Sequence, residues 1–250
     1  MKKAAYMGIP DLHNYDLKSS QVNGLIQQFQ DAGIPIDWLV DYRDHPERRE
    51  EYAYDINIDQ NTFKICLLTL IMGGTLGSVE VKSRNARGAI LTAIDDYHNG
   101  SSMSSSISYM KFKRIVRPLI NDIDKWHNHL LTYNQNEQTD DVMYKYEGIV
   151  NRRNPTGKIM AIGRIAPDGT IQTLEQRQIT KRRLAAFVLQ GQEAAFIHHL
   201  TNLSSKYGFE VVGNEHDGLL TLGQIPKEAI EEAEKHSGLR NPILEEKPFG

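Results

Sequence analysis

The sequence of 250 residues contains one cysteine, no long apolar run and no large excess of charge of either sign. The single cysteine, Cys66, excludes a disulfide framework and is typical of a reducing environment. The longest apolar segment, ICLLTLIMGG, begins at Ile65 and is shorter than the about 20 residues that a membrane-spanning helix needs. The N-terminal segment reaches Pro10 before any apolar region long enough for a signal peptide. We therefore expect a soluble, cytoplasmic protein.

The residues that are present give an ordinary globular composition, with 40% hydrophobic and 24% charged residues. The length fits one large domain or two small ones. The formal net charge of −3 conceals a basic segment, since the residues from Lys145 to Arg183 include nine basic and three acidic side chains. Such a segment is either a solvated surface or a contact for an anionic partner such as a nucleic acid.

The spacing of apolar residues predicts an α+β fold, with a few antiparallel strands and many helices in one body that carries an inserted helical lobe. The predicted strands are 3–9 and 13–17, and the predicted hairpins are 157–174 and 208–223. The predicted helices are 21–33 after a serine cap, 60–72 after an Asp59 cap, 82–98, 109–133 with a kink at Pro118, 180–205, and a short one that begins at Pro226. Two polar segments, 99–107 and 134–140, are predicted as joints, the first of them mobile.

His216 and Asp217 lie at the tip of the second predicted hairpin, where Asn-Gly or Asp-Gly is the usual turn. Asp16 ends a predicted strand near the start of the chain. A strand-end carboxylate opposite a hairpin-tip carboxylate is one way to hold two divalent cations, because Mg²⁺ takes one or two carboxylates together with substrate phosphates. Read separately, an aspartate at either position is more commonly a turn or cap residue.

The predicted helix 60–72 has a single charged residue, Lys64, with Leu68 and Met72 four and eight residues further along the same side. A cation beside a small apolar surface suits a nucleoside triphosphate, with Lys64 on the phosphates and the two apolar side chains under the base and sugar. The alternative is a core helix whose one lysine extends into solvent.

The predicted helix 180–205 begins with several basic residues and contains Arg182 and, eight residues later, Gln190. Cations in the first turn of a helix are unfavourable with its dipole, which favours an outside anion such as a nucleic-acid phosphate. Gly191 allows close approach to this helix. The alternative is a basic surface cluster beside a glycine that is required for packing.

In this order, the four elements resemble the catalytic core of family A DNA polymerases and of the related single-subunit phage RNA polymerases. The segment YDLKSSQ is similar to the family's first motif, with Asp16 in place and Gln21 where the DNA polymerases usually have a glutamate that obstructs the ribose 2′-OH. Lys64, Leu68 and Met72 keep the register of the family's fingers helix, although its two aromatic residues and a preceding arginine are absent.

The resemblance continues through the C-terminal half of the chain. Gly163-Arg164 is similar to a strand that the family places before a helix with an arginine, seven intervening residues and Gln-Gly. Arg182 and Gln190-Gly191 match that helix, although the usual asparagine between them is absent. His216-Asp217-Gly218 resembles the family's His-Asp hairpin.

The resemblance implies a DNA polymerase, that is, template-directed nucleotidyl transfer with two Mg²⁺ ions. The implied metal ligands are Asp16, Asp217 and the backbone carbonyl of Leu17. The implied nucleotide contacts are those of Gln21, Lys64, Leu68 and Met72, and Lys64 would also protonate the departing pyrophosphate. The implied primer-template contacts are those of Arg164, Arg182, Gln190 and His216.

By the same resemblance, residues 1–39 and 141–250 would form a palm with a small antiparallel sheet, and residues 40–140 a helical fingers lobe. Only fifteen residues precede Asp16, so we expect a thumb or exonuclease to be lacking or to come from another chain, as in a reduced polymerase of a phage or plasmid. The alternatives are a single-subunit RNA polymerase or primase-like enzyme, a non-catalytic palm-fold nucleic-acid-binding subunit, and a metal-dependent nuclease that uses the same two aspartates.

Overall fold

The computed structural model describes residues 8–74, 76–77, 88–132, 143–215 and 218–249. The chain divides into two compact units. The first unit comprises Met1–Gln27, Arg152–Met160 and Phe187–Gly250, and the second comprises Gln28–Asn151 and Ala161–Ala186. The three-part division 1–39, 40–140 and 141–250 stays a prediction. Across the described ranges, no helix is both long and apolar enough to cross a membrane.

The described residues form nine helices and eight strands, which confirms the α+β class. The strands are β1 Leu12–Leu17, β2 Met143–Tyr146, β3 Ile149–Arg153, β4 Ile159–Ile165, β5 Ile171–Thr173, β6 Glu210–Glu215, β7 Gly218–Leu222 and β8 Leu244–Glu246. The helices are α1 Ser20–Asp31, α2 Asp37–Asp44, α3 Glu47–Ile56, α4 Gln60–Ile71, α5 Ala89–Tyr97, α6 Ser102–Ile115, α7 Arg117–His129, α8 Arg177–Tyr207 and α9 Lys227–Ser237. One sheet has the strand order β6-β7-β1-β8, and the other has the order β2-β3-β4-β5.

The sheet β6-β7-β1-β8 belongs to the first unit. β1 lies inside it and pairs antiparallel with β7 on one side and with β8 on the other, while β6 and β7 form a hairpin. Side chains alternate between the two faces of a strand. Tyr15 and Leu17 lie on the face that packs into a buried apolar cluster, so the opposite face of β1 carries Asp16. That cluster also contains Phe196, Leu219 and Ala229.

The helices of the second unit bury aromatic side chains. Asp59 caps α4, since its Oδ1 accepts a hydrogen bond from Thr62 N at 2.8 Å, which also lowers the pKa of the Asp59 carboxyl. Phe63 packs edge-on against Phe112 of α6, with ring centroids 5.8 Å apart. Trp126 of α7 is fully buried. These helices are therefore held by apolar contacts and by a local cap.

Elements with strong local signals were predicted correctly. Strand 13–17, helices 21–33, 60–72 and 180–205, and both hairpins are confirmed to within a few residues. The last helix begins directly after Pro226, as predicted. Of the predicted strand 3–9 only Gly8 and Ile9 are described, and neither lies in a strand. Residues 82–87 and the joint 134–140 lie outside the described residues.

Two predictions in the second unit are wrong. The polar segment 99–107 is helical from Ser102 onward, because α6 packs through buried residues that include Ser105, Tyr109 and Phe112. The hydroxyls of Ser105 and Ser106 donate to carbonyls four residues earlier, at 2.9 and 2.6 Å, and are therefore satisfied within the helix. The predicted helix 109–133 consists of two helices that meet at Val116, and Pro118 lies in the first turn of α7 instead of at a kink.

Candidate functional site

The candidate site in the first unit is a row of residues across the sheet. Asp16 of β1 pairs directly with Gly218 of β7 and with Glu245 of β8, and Gly218 in turn pairs with Glu215 of β6. Directly opposite residues of antiparallel strands share one face of a sheet. The side chains of Asp16 and Glu245 therefore lie on the same face, and we call the backbone row of Glu215, Gly218, Asp16 and Glu245 the acidic row.

Two lysines balance the charge of the acidic row. The Lys247 ammonium donates a hydrogen bond to Asp16 Oδ2. Lys18 Nζ lies 3.5 Å from Glu245 Oε1. Like charges directly opposite each other destabilise a sheet, so these lysines offset the repulsion between the Asp16 and Glu245 carboxylates. The Asp16 side chain remains 28% exposed to solvent.

His216 and Asp217, the residues predicted at the hairpin tip, lie outside the described residues. Their sequence neighbours Glu215 and Gly218 pair with each other, and Gly218 faces Asp16. The convergence of Asp16 and Asp217 stays a prediction. Leu17, whose carbonyl was predicted as a further ligand, follows Asp16 and is 2% exposed.

Asp16 is the one carboxylate of the predicted Mg²⁺ site that the structure describes. The Lys247 ammonium already places a positive charge on the Asp16 carboxylate, and carboxylate oxygens are the ligands that Mg²⁺ prefers. In the part of the chain that the structure describes, no group of three or more His, Cys, Asp or Glu side chains could hold a metal ion. A complete site therefore requires ligands beyond that part, and Asp217 is the predicted one.

The predicted triphosphate surface lies on α4, in the second unit. Lys64 is exposed, and Leu68 and Met72 are partly buried, whereas the opposite side of the helix contributes to the core. Gly73 follows α4 with φ +79°, and a Cβ at this residue would lie 2.8 Å from Cγ of Arg182. The end of α4 and Arg182 of α8 are thus in contact, so two of the predicted elements meet within the second unit.

The basic start of α8 differs from the prediction. Because α8 begins at Arg177, the cluster Lys181–Arg183 lies beyond its first turn, and the helix-dipole argument for an outside anion does not apply to it. Lys181 Nζ lies 3.1 Å from Asp124 Oδ1, and Arg183 forms an ion pair with Glu175. Arg182 Nε is buried and has no hydrogen-bond partner among the described residues.

The other predicted nucleic-acid contacts are placed on separate elements. Gln190 is an exposed residue of α8 in the first unit, and Arg164 is an exposed residue of β4 in the second. A Cβ at Gly191 would lie 2.6 Å from Asn154 Nδ2, so the close approach at this glycine is made by a buried side chain of the protein. This contact supports the packing interpretation of Gly191. Gln21, predicted near the sugar, is a half-buried residue in the first turn of α1.

Sequence reasoning missed the partners of His13. His13 Nδ1 lies 2.8 Å from Glu246 Oε1, and Nε2 lies 3.1 Å from Asp11 Oδ1. Hydrogen bonds to Glu246 and then to Asp11 raise the pKa of the His13 imidazole. The only available signal was the acidic pair of residues in the segment ILEEKPF, which becomes informative once β8 is known to pair with β1.

A second histidine with a shifted pKa is His127 of α7. It is 4% exposed, and burial, followed by the charge of Lys181, lowers the pKa of its imidazole to about 4. His127 Nε2 has no hydrogen-bond partner in the described ranges. A histidine in this environment is neutral near pH 7 and belongs to the core of the second unit.

Comparison with known proteins bears on the fold. No protein family and no curated protein matches the chain. Among solved structures, the chain is similar to the POL domain of Pol1 from M. smegmatis, which was solved in complex with DNA primer-template and dNTP. The TM-score is 0.45 at 12% identity, over 96% of this chain. The chain spans 39% of the length of that protein, and the likeness concerns the fold alone.

Proposed function

We propose that the protein is a template-directed nucleotidyltransferase, a DNA polymerase that adds nucleotides to a primer 3′-OH. The observation that carries the proposal is the pairing of Asp16 with Gly218. This pairing joins the end of β1 to the residue that follows His216-Asp217, which are the two parts of the chain where the sequence predicts the metal-binding aspartates.

Asp16 and Asp217, with the backbone carbonyl of Leu17, are the proposed ligands of two Mg²⁺ ions. When bound, such ions lower the barrier to phosphoryl transfer by neutralising charge on the attacking and leaving oxygens. The protein's own contribution at this point is rigidity, because β1 is hydrogen-bonded on both sides and cannot shift without breaking the sheet.

The remaining proposed roles concern substrate. Lys64, an exposed lysine, would pair with the triphosphate and donate a proton to the departing pyrophosphate. Leu68 and Met72 would contact the base and sugar, and Gln21 the sugar. The side chains proposed to contact the primer-template phosphates and sugars, independent of base sequence, are those of Arg164, Arg182, Gln190 and His216. A separate chain that supplies a thumb or exonuclease is part of this proposal.

Primer extension tests the proposal. The assay combines the protein with a labelled primer-template, Mg²⁺ and either dNTPs or NTPs. We expect extension with dNTPs and a loss of about a hundredfold or more in Asp16→Asn and in Asp217→Asn, because each removes a charge that the transition state requires. Asp11→Asn is the matched control, since Asp11 is an exposed aspartate of the same unit outside the acidic row.

Other outcomes of this assay identify the alternatives. Extension with NTPs alone indicates an RNA polymerase or primase-like enzyme. Shortening of the primer indicates a nuclease that uses the same aspartates. Binding of DNA without Mg²⁺, with no extension and no effect of Asp217→Asn, indicates a non-catalytic subunit and contradicts the proposal.

A further inference from the structure

A group of three histidines lies away from the candidate site, where α8 and α9 meet in the first unit. The His199 ring of α8 lies 5.8 Å from the His236 ring of α9, measured between ring centroids. The His198 ring lies 5.9 Å from that of His199. Three side chains of a type that ordinarily titrates near pH 6.5 therefore share one place in the fold.

The contact between the two helices beside these histidines is apolar. Phe196 and Leu200 of α8 share a buried cluster with Ala233 of α9. His199 directly precedes Leu200 and is itself partly buried, and His236 lies three residues after Ala233, on the same side of α9. The two facing imidazoles therefore border the apolar contact, where a change in their charge acts on the packing of α9.

Several charged groups belong to the same part of the first unit. The last turn of α9 contains Lys235 and His236, and a positive charge is favourable at the C-terminal end of a helix. Glu232 lies one turn before His236, and its carboxylate accepts hydrogen bonds from Lys206 and Tyr207 of α8. This carboxylate is thus already engaged by a cation and a hydroxyl of α8.

The surroundings of His199 disfavour its charged form. Burial, followed by the charges of His198 and His236, lowers the pKa of the His199 imidazole. A state in which α9 has moved away from α8 gives His199 back a pKa nearer to its ordinary value, so that state binds more protons as the pH falls below about 6.5. The contact is therefore complete above about pH 6.5 and weakens in acid.

The segment after α9 is held by bonds that do not titrate. Gln27 Nε2 of α1 donates to Gly238 O at 2.6 Å, and Gln27 Oε1 accepts from Arg240 N at 3.0 Å. A side-chain amide is uncharged in both neutral and acid solution, so these bonds are the same at either pH. The effect of acid is therefore confined to α9 and ends at Gly238.

We propose that His199 and His236 form a pH-sensitive contact that keeps α9 packed on α8 at neutral pH and loosens it in acid, where both rings are charged and repel each other. Loosening uncovers the apolar surface that Phe196 and Leu200 present to α9. The proposal concerns this contact alone and does not depend on nucleotidyl transfer.

Hydrogen exchange of backbone amides in the whole chain tests the proposal. It is measured at pH 7.5 and pH 5.0 and corrected for the intrinsic pH dependence of exchange. The opening of α9 is expected to increase about three- to tenfold at pH 5.0, because two like charges then face each other across the contact. Amides of β7 in the same unit are expected to keep their protection and serve as the internal reference.

Three substitutions make the test specific. His236→Gln removes one of the two charges and is expected to abolish the increase in α9. His236→Lys keeps a positive charge at low pH and is expected to retain the increase. His45→Gln, which changes an exposed histidine of the second unit, is expected to leave α9 as in wild type. In an NMR titration of the ring protons, the pKa of His199 should rise toward its ordinary value in His236→Gln.

The outcomes either support the contact or overturn it. Equal protection of α9 at both pH values in wild type overturns the proposal. An increase that persists in His236→Gln, or a His199 pKa that does not change in that variant, also overturns it, because another group would then be responsible. An increase of the same size in α9 and β7 means that the whole unit opens in acid, which contradicts a local contact.

Discussion

His13 in the first unit and His127 in the second differ in the direction in which their surroundings shift the pKa. His13 lies between the carboxylates of Glu246 and Asp11, which raise its pKa. His127 is buried beside the charge of Lys181, and its pKa falls to about 4. The carboxylates favour the imidazolium, whereas burial favours the neutral ring.

The difference shows how solvent exposure decides whether a polar group can exchange its partner. At the sheet surface of the first unit, charged side chains occur as exposed pairs, such as Asp16 with Lys247, whose partners can exchange with ions from solvent. His127 of the second unit is instead enclosed by the core, although that unit also carries exposed ion pairs such as that of Arg183 with Glu175. We therefore expect ligand binding at exposed pairs such as Asp16 with Lys247. We expect a pH-dependent free energy of unfolding from buried groups such as His127.

The acid sensitivity of the second unit is the largest effect that we expect from this comparison. Because the pKa of His127 is about 4 in the folded state and about 6.5 when unfolded, the unfolded chain binds an extra proton between these values. The free energy of unfolding should fall by about 3 kcal/mol as the pH drops from 6.5 to 4, and change little from this source above pH 6.5. Urea titrations at several pH values measure it.

His127→Gln should remove most of that dependence, because glutamine does not titrate. The control is His129→Gln, which changes an exposed histidine of the same helix and should leave the pH dependence as in wild type. If both variants retain the full dependence, His127 is not the group responsible and the contrast between the two histidines fails.

A smaller effect on the free energy of unfolding is expected at Gly191 of α8, where the first unit is tightly packed. Gly191→Ala would place a Cβ against Asn154, whose Oδ1 accepts hydrogen bonds from Thr156 N and Lys158 N, both at 3.1 Å. Asn154 cannot move away without losing these bonds. We expect a loss of about 2 kcal/mol in the free energy of unfolding, measured by urea denaturation.

The neighbouring residue provides the control for that substitution. Gln190→Ala changes an exposed side chain of the same helix and should alter the free energy of unfolding by less than about 0.5 kcal/mol. If the free energy of unfolding of Gly191→Ala equals that of wild type, Asn154 can move to accommodate the added Cβ. The packing around α8 in the first unit would then be looser than the structure indicates.

The smallest effect concerns His13. Its raised pKa means that the ion pairs with Glu246 and Asp11 contribute to stability below pH 6.5, and that this contribution is lost as the pH rises through the raised pKa. Glu246→Gln should lower the pKa of His13 toward its ordinary value, because it removes the largest cause of the shift. An NMR titration of the histidine ring protons reports both values, and a His13 pKa below that of a free imidazole in wild type would contradict the structure.

Local signals explain which elements were predictable. Asp59 marked the start of α4, and Pro226 preceded α9 directly. α2 and α3 were missed, because their charged sequence shows little apolar periodicity, and they are fixed instead by tertiary contacts such as the stacking of Trp38 of α2 on Tyr52 of α3. The serines of α6 have low helix propensity, which concealed that helix.

For the candidate site, the position of Asp16 at a strand end followed from its own neighbours in sequence. Its strand partner Glu245 on β8 and its ion-pair partner Lys247, directly after β8, did not, since a strand of three residues has no recognisable period and its register depends on β1. The role of Gly191 was hidden for a similar reason, because Asn154 lies 37 positions earlier in the chain. Contacts made over such separations are set by the assembled fold.

The position of β1 inside its sheet has a consequence for biosynthesis. β1 is synthesised before both of its neighbours, β7 and β8, which follow about 200 residues later in the chain. Until then, β1 has no strand partner on either edge, and unpaired strand edges are prone to aggregation. The sheet that carries Asp16 should therefore be completed after translation of α9, later than the helices from α2 to α7, whose contacts are nearer in sequence.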